Sequence, residues 1–199
     1  MFSETSFAAH SGRIQLGLLG LLAAWMLLTR LPDLSQLVHL RDASMAVFFI
    51  GGLLIGRALG FGALLALAVG IDLLVFARID ALHLCFTPAY AFLLPAYALL
   101  WWAGRAFGLL ADSRELPALG FLALGLGVAV LAALGSFVLS NGSFYLFSGA
   151  FAELSFGGFA SQFLRYAPSF VGMGVGWIAL GLLTCALARA RARAEPRPA

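Results

Sequence analysis

The segment Leu84-Cys85-Phe86-Thr87-Pro88-Ala89-Tyr90 holds the residues best suited to chemistry. It opens a long apolar run, so the Cys85 thiol stands at a membrane mouth. Beside it are a proline that frees backbone groups and a tyrosine with a polar tip. Arg78 and His83 lie just upstream, and positive charge favours a thiolate. A soft thiolate is a good ligand for cobalt, copper or zinc. The plain alternative is a free cysteine packed as a small hydrophobe. His83 precedes Cys85 by two positions, but a His-x-Cys pair alone is a weak metal motif. No Cys-x-x-Cys and no second histidine follow it. His39 approaches from an earlier loop, and for both histidines the alternative is a solvated loop position.

Asp72 lies within an apolar segment, where an ionisable group is expensive and must face a cavity or a partner. Its functional readings are a hydrogen bond to a substrate or a proton relay. Its structural reading is an ion pair with Arg78 or Arg41. Tyr90 and Tyr97 are seven residues apart, which places them on one face of a helix. Pro88 and Pro95 stand beside them and are expected to distort that face. The two tyrosines read either as interface-belt residues or as the polar-tipped wall of a cavity. Arg165 and Tyr166, before Pro168, are candidates to close such a cavity from another loop.

Composition decides where these residues must be placed. The chain of 199 residues is 62% hydrophobic and only 11% charged, with mean hydropathy +1.00. A soluble domain carries about 25% charged residues, so lipid must solvate much of this surface. A single membrane domain over residues 1–199 follows. All twelve basic residues are arginine, and they gather at the ends of apolar segments. That distribution carries topology rather than a nucleic-acid face. With no lysine, the chain has no phosphate-binding Gly-x-x-x-x-Gly-Lys-Ser/Thr loop and does not hydrolyse ATP by itself. It also lacks His-Glu-x-x-His and Gly-x-Ser-x-Gly. Its two cysteines, Cys85 and Cys185, fall near opposite faces and are not expected to pair.

About 20 apolar residues span a bilayer. The expected architecture is an all-α integral membrane protein with six transmembrane helices, at residues 14–31, 44–57, 60–77, 84–103, 116–139 and 169–187. The run from Ser44 to Phe76 is long for one crossing and short for two, and its division is set at a tight turn from Arg57 to Gly60. The first helix is read as a retained span rather than a signal peptide, since no small-x-small site follows it. Arg13, Arg57, Arg105, Arg114, Arg189, Arg191, Arg193 and Arg197 then fall on one side. Arg30, Arg41, Arg78 and Arg165 fall on the other. The bias predicts N-in and C-in. Residues 140–168 form an outer, lid-like loop. Phe144, Phe147 and Phe151, then Phe156, Phe159 and Phe163, each follow i, i+3, i+7 spacing. Each set suits a short amphipathic helix, either a lid over a cavity or an interfacial anchor. Asn141-Gly142-Ser143 matches a glycosylation acceptor, which is irrelevant in a chain read as bacterial.

Six short-looped helices, both termini inside, and a first helix carrying the small pair Gly20 and Ala24 resemble the S-components of energy-coupling factor transporters. Asp72, the segment from Leu84 to Tyr90 and the phenylalanine-rich last loop look most similar to the BtuM group, solitary bacterial S-component-like proteins for cobalamin (vitamin B12). The resemblance implies an S-component-like bundle in the bacterial inner (cytoplasmic) membrane. It implies cobalamin or cobinamide as the cargo, with the Cys85 thiolate ligating its cobalt and promoting decyanation of cyanocobalamin. Asp72, Tyr90, Tyr97, His83, Arg165 and Tyr166 would line the pocket. An ATPase module would dock through the first helix. No nucleotide and no nucleic acid are expected to bind the chain itself. Two other readings stand beside this one: a proton-coupled small-solute transporter using Asp72, and a non-catalytic membrane assembly subunit.

Overall fold

A computed structural model describes residues 4–38, 41–79 and 87–194. The described residues form helices and connecting turns: α1 (Glu4–Arg30), α2 (Pro32–Val38), α3 (Ser44–Leu54) and α4 (Ala58–Arg78) come first. A 3-10 turn (Pro88–Phe92) then leads into α5 (Leu93–Ser113), α6 (Ala118–Phe147) and α7 (Phe156–Ala194). Local chemistry sets several of these boundaries. Pro32 cannot continue α1 and instead supplies the first residue of α2. Gly56 adopts φ +62°, a left-handed conformation that suits glycine. Its N–H reaches back 3.2 Å to the Gly51 carbonyl and closes α3.

Among the described residues, five helical stretches are long and apolar enough to cross a membrane: Gly12–Arg30, Ala58–Arg78, Pro88–Ser113, Ala118–Phe147 and Phe156–Arg191. Residues 44–57 differ from the expected full crossing. Only Ser44–Leu54 are helical, as the 11-residue α3, which at 1.5 Å per residue is only about 16 Å long. The hydrocarbon layer is about 30 Å thick. The break falls at 55–57, just before the expected turn.

α3 is buried instead of spanning. Phe48 and Phe49 are fully enclosed, with Val47 and Ser44 close to it. A helix apolar on every side belongs in the interior. It packs most extensively against α5, and also against α7, α1 and α4. Two glycines allow the α5 contact. A Cβ on Gly52 would collide with the Trp101 carbonyl, and one on Gly104 with the Phe49 carbonyl. Small residues at such crossings let helix backbones approach closely.

The lid-like loop expected at 140–168 is mostly helix. Residues 140–147 complete α6, and 156–168 begin α7. Only 148–155 connect the two, with Gly149 at φ +73°. Tyr145 ties this connection down: its hydroxyl accepts from the Ser155 N–H at 3.0 Å and faces the Ser155 carbonyl at 3.1 Å. Phe144 and Phe147 therefore belong to α6, and Phe156, Phe159 and Phe163 to α7. The aromatic spacing reported helical structure, but that structure continues the long helices. Pro168 lies inside α7. Pro88 opens the 3-10 turn and Pro95 sits in the first turn of α5, where a missing N–H is tolerated. Neither proline falls in the middle of α5.

Leu16, Leu59, Leu119 and Leu131 are largely exposed around the bundle. Lipid is the solvent that accepts such a surface. The C-terminal ends of α1, α4 and α6 gather at one end of the bundle, with the N-terminal ends of α3, α5 and α7.

Candidate functional site

At that end, Arg30 leaves the last turn of α1 and enters the protein. It makes a two-pronged bond to Asp72 of α4, from Nε to Oδ1 at 2.8 Å and from NH2 to Oδ2 at 2.6 Å. Each side chain is 12% exposed. Paired planar geometry of this kind is where arginine surpasses lysine. The remaining nitrogen, NH1, donates to Ser44 Oγ (2.7 Å), Tyr97 Oη (3.0 Å) and Asp42 Oδ2 (3.3 Å). The Tyr90 hydroxyl donates to Asp72 Oδ2 at 2.8 Å. Ser44 passes the chain on, its hydroxyl and its N–H both donating to Asp42 Oδ1.

Four elements thus meet through one guanidinium. The cluster is also braced by packing. The Tyr97 ring stacks on Phe48 at 4.2 Å between centroids. Thr29 accepts from the Ala43 N–H at 3.2 Å and so holds the start of α3 against α1. One arginine against Asp72 and Asp42 leaves a formal excess of one negative charge. Asp42 is the half-exposed member.

The cluster borders a cavity of about 460 Å³. Its polar wall includes Thr29, Asp42, Ser44, Ser136, Ser140 and Ser169, and Tyr97 also lines it. Arg41 stands at its rim and donates to Ser169 at 2.9 Å. So many hydroxyls around one space are unusual in a chain this apolar. They supply hydrogen-bonding partners in a cavity of the size that holds small solutes.

The structure brings Asp72, Tyr90 and Tyr97 together, but with a partner the sequence reading did not select. The expected pair of Asp72 with Arg78 or Arg41 is replaced by Arg30. Arg78 reaches Asp33 instead, at 3.0 Å on the surface. One signal pointed to Arg30: it lies within the apolar stretch 14–31, whereas Arg41 lies in a connection and Arg78 at the last position of α4. Arg165 and Tyr166 are not in this cluster. They lie on an exposed face of α7, the guanidinium 5.7 Å from the tyrosine ring centre. There they line a neighbouring bay of about 710 Å³ that shares Phe170 with the cavity. Cys85, His83 and His39 lie outside the described residues. Among the described residues no group of three His, Cys, Asp or Glu side chains could hold a metal ion.

Among the described residues the chain is α-helical, with five membrane-length helices and a charged, hydroxyl-lined chamber at one end. The chain matches no family model and no curated protein.

Proposed function

We propose that this chain is a multi-pass inner-membrane protein that binds a small solute at its cluster end for uptake. The hydroxyl-lined chamber beside the Arg30–Asp72 pair carries the reading. In an apolar bundle, polar side chains that surround one space are retained for what enters it. The arginine distribution favours an orientation with this end outside and both termini inside. α3 then contributes the sixth helix as a short, buried one.

The cargo we propose is a corrinoid, cobalamin or cobinamide, on the strength of the resemblance around Cys85. A corrin ring with its amide arms is too large for the chamber alone, so it would extend across Phe170 into the neighbouring bay lined by Arg165 and Tyr166. In this reading the Cys85 thiolate ligates cobalt and weakens the bond to an upper cyanide. Tyr97, Asp42 and the serines offer hydrogen bonds to the polar arms. The proton-coupled alternative is less well supported, because both Asp72 oxygens are already engaged by Arg30 and Tyr90. Docking of an ATPase module on α1 is compatible with that helix's exposed outer face.

Equilibrium dialysis of purified protein against cyanocobalamin tests the proposal. Ser140→Trp, which fills the chamber, is expected to abolish retention, while Leu131→Trp on the lipid-facing surface leaves it intact. Equal retention by both variants would overturn the assignment of the chamber.

A further inference from the structure

The end of the bundle opposite the chamber carries two arginines without an internal partner. Arg57 follows Gly56 in the turn between α3 and α4, and Arg105 lies in the second half of α5. Arg30, Arg78 and Arg189 are each paired with an aspartate, and Arg41 donates to Ser169. Among the described residues, the guanidinium groups of Arg57 and Arg105 make no ion pair and no hydrogen bond. Asp112, the one acidic residue of α5, is taken by Arg189 at 2.7 Å.

The two cations share one place on the surface. A Cβ on Gly56 would lie 2.7 Å from Arg105 NH1, so the Arg105 guanidinium rests against the turn that bears Arg57. Its central carbon is 5.7 Å from the centre of the Trp102 ring, within cation–π reach. Trp102, Arg105 and Leu109 follow i, i+3, i+7 spacing and so share one face of α5. That face looks outward, with Trp102 58% and Leu109 63% exposed. Arg57 is exposed and Arg105 partly buried, so both charges are reached from outside. A charge set between apolar residues on a lipid-facing stripe is costly unless it meets an anion. Tryptophan marks the headgroup level, and the arginine fork matches phosphate oxygens.

We propose that the α3–α4 turn and this face of α5 bind an anionic phospholipid, with Arg57 and Arg105 holding its phosphate and Trp102 packing against its chains. A free phosphate would satisfy the arginines and leave the indole unused, which favours the lipid as occupant. In the orientation proposed above, this end meets the inner leaflet, whose anionic lipids attract arginines at helix ends. The site rests on the membrane placement of the bundle and is independent of the cargo.

Native mass spectrometry of detergent-purified protein, titrated with phosphatidylglycerol and with phosphatidylcholine of the same chains, reads this site. Wild type should hold phosphatidylglycerol about tenfold or more tightly than phosphatidylcholine. Each arginine near an anionic headgroup contributes about a fivefold factor. The double variant Arg57→Gln with Arg105→Gln should therefore weaken phosphatidylglycerol about thirtyfold. Arg114→Gln with Arg191→Gln removes the same charge from exposed positions at the same end. Screening should hold its effect below about threefold. Arg57→Gln alone, in the exposed turn, should cost about fivefold and serves as the test should the first double variant fail to fold. Equal affinity of wild type for the two lipids, equal losses in the two double variants, or displacement of the lipid by millimolar inorganic phosphate would each overturn the proposal. No corrinoid is used, so this outcome is separate from the cyanocobalamin result.

Discussion

Replacing Arg30 by methionine removes the positive charge that, among the described residues, pairs with both Asp72 and Asp42. Asp72 loses two bonds of 2.8 and 2.6 Å, Ser44 and Tyr97 lose their common donor, and a carboxylate only 12% exposed is left with Tyr90 as its remaining partner. Breaking a buried pair by removing one partner costs about 3–5 kcal/mol. Asp72→Asn should cost less, because Arg30 keeps Asp42 at 3.3 Å and the amide oxygen still accepts one bond. The double change Arg30→Met with Asp72→Leu removes both charges and should recover most of the loss, since apolar replacement of a whole buried pair is often neutral. Thermal unfolding in detergent, followed by helical circular dichroism, would resolve this. Arg30→Met should lower the midpoint by roughly 10 °C, taking the usual conversion for a chain of this size. Additive effects in the double variant, or a greater loss in Asp72→Asn than in Arg30→Met, would refute the reasoning. Either result would mean that the guanidinium does not organise this end of the bundle.

Other perturbations separate the tight features from the loose ones. Gly52→Ala puts a methyl group against the Trp101 carbonyl and should destabilise by about 1–3 kcal/mol. Gly20→Ala on α1 meets nothing within 4 Å and should leave the unfolding midpoint unchanged. Tyr90→Phe removes a 2.8 Å bond to a carboxylate and should cost about 1.5–3 kcal/mol in the same assay. The Arg78–Asp33 pair is well exposed on both sides, so Arg78→Ala should change stability by less than about 1 kcal/mol, and less still at high salt.

Much of the architecture was legible because lipid imposes a simple rule: long apolar runs become helices. The run at 60–77 falls within α4, and those at 14–31 and 116–139 match α1 and α6 except for one residue at the end of the first and two at the start of the second. What escaped were features that depend on three-dimensional packing. The run from Ser44 to Phe76 is apolar nearly throughout, and its hydropathy does not reveal that an 11-residue piece turns inward. Gly52 and Gly104 become informative only once α3 and α5 are known to touch. The six phenylalanines between 144 and 163 announced helical periodicity. Whether those turns stood alone or extended the neighbouring spans depended on where the chain breaks. That break lies at 148–155, where Gly149 takes φ +73°. At the site, Asp72 stood out as a charge among apolar residues, and the pairing of Tyr90 and Tyr97 followed from their spacing. Arg30 was hidden because an arginine at the end of an apolar run has an ordinary explanation in topology.

The corrinoid account depends most directly on Cys85, and the visible absorbance of cyanocobalamin mixed with purified protein is the measurement that tests it. The account predicts a spectral shift in wild type that disappears in Cys85→Ala. The shift should persist in Cys185→Ala, whose thiol lines an apolar groove between α1 and α7. An identical shift in Cys85→Ala, or no shift in wild type, would contradict it.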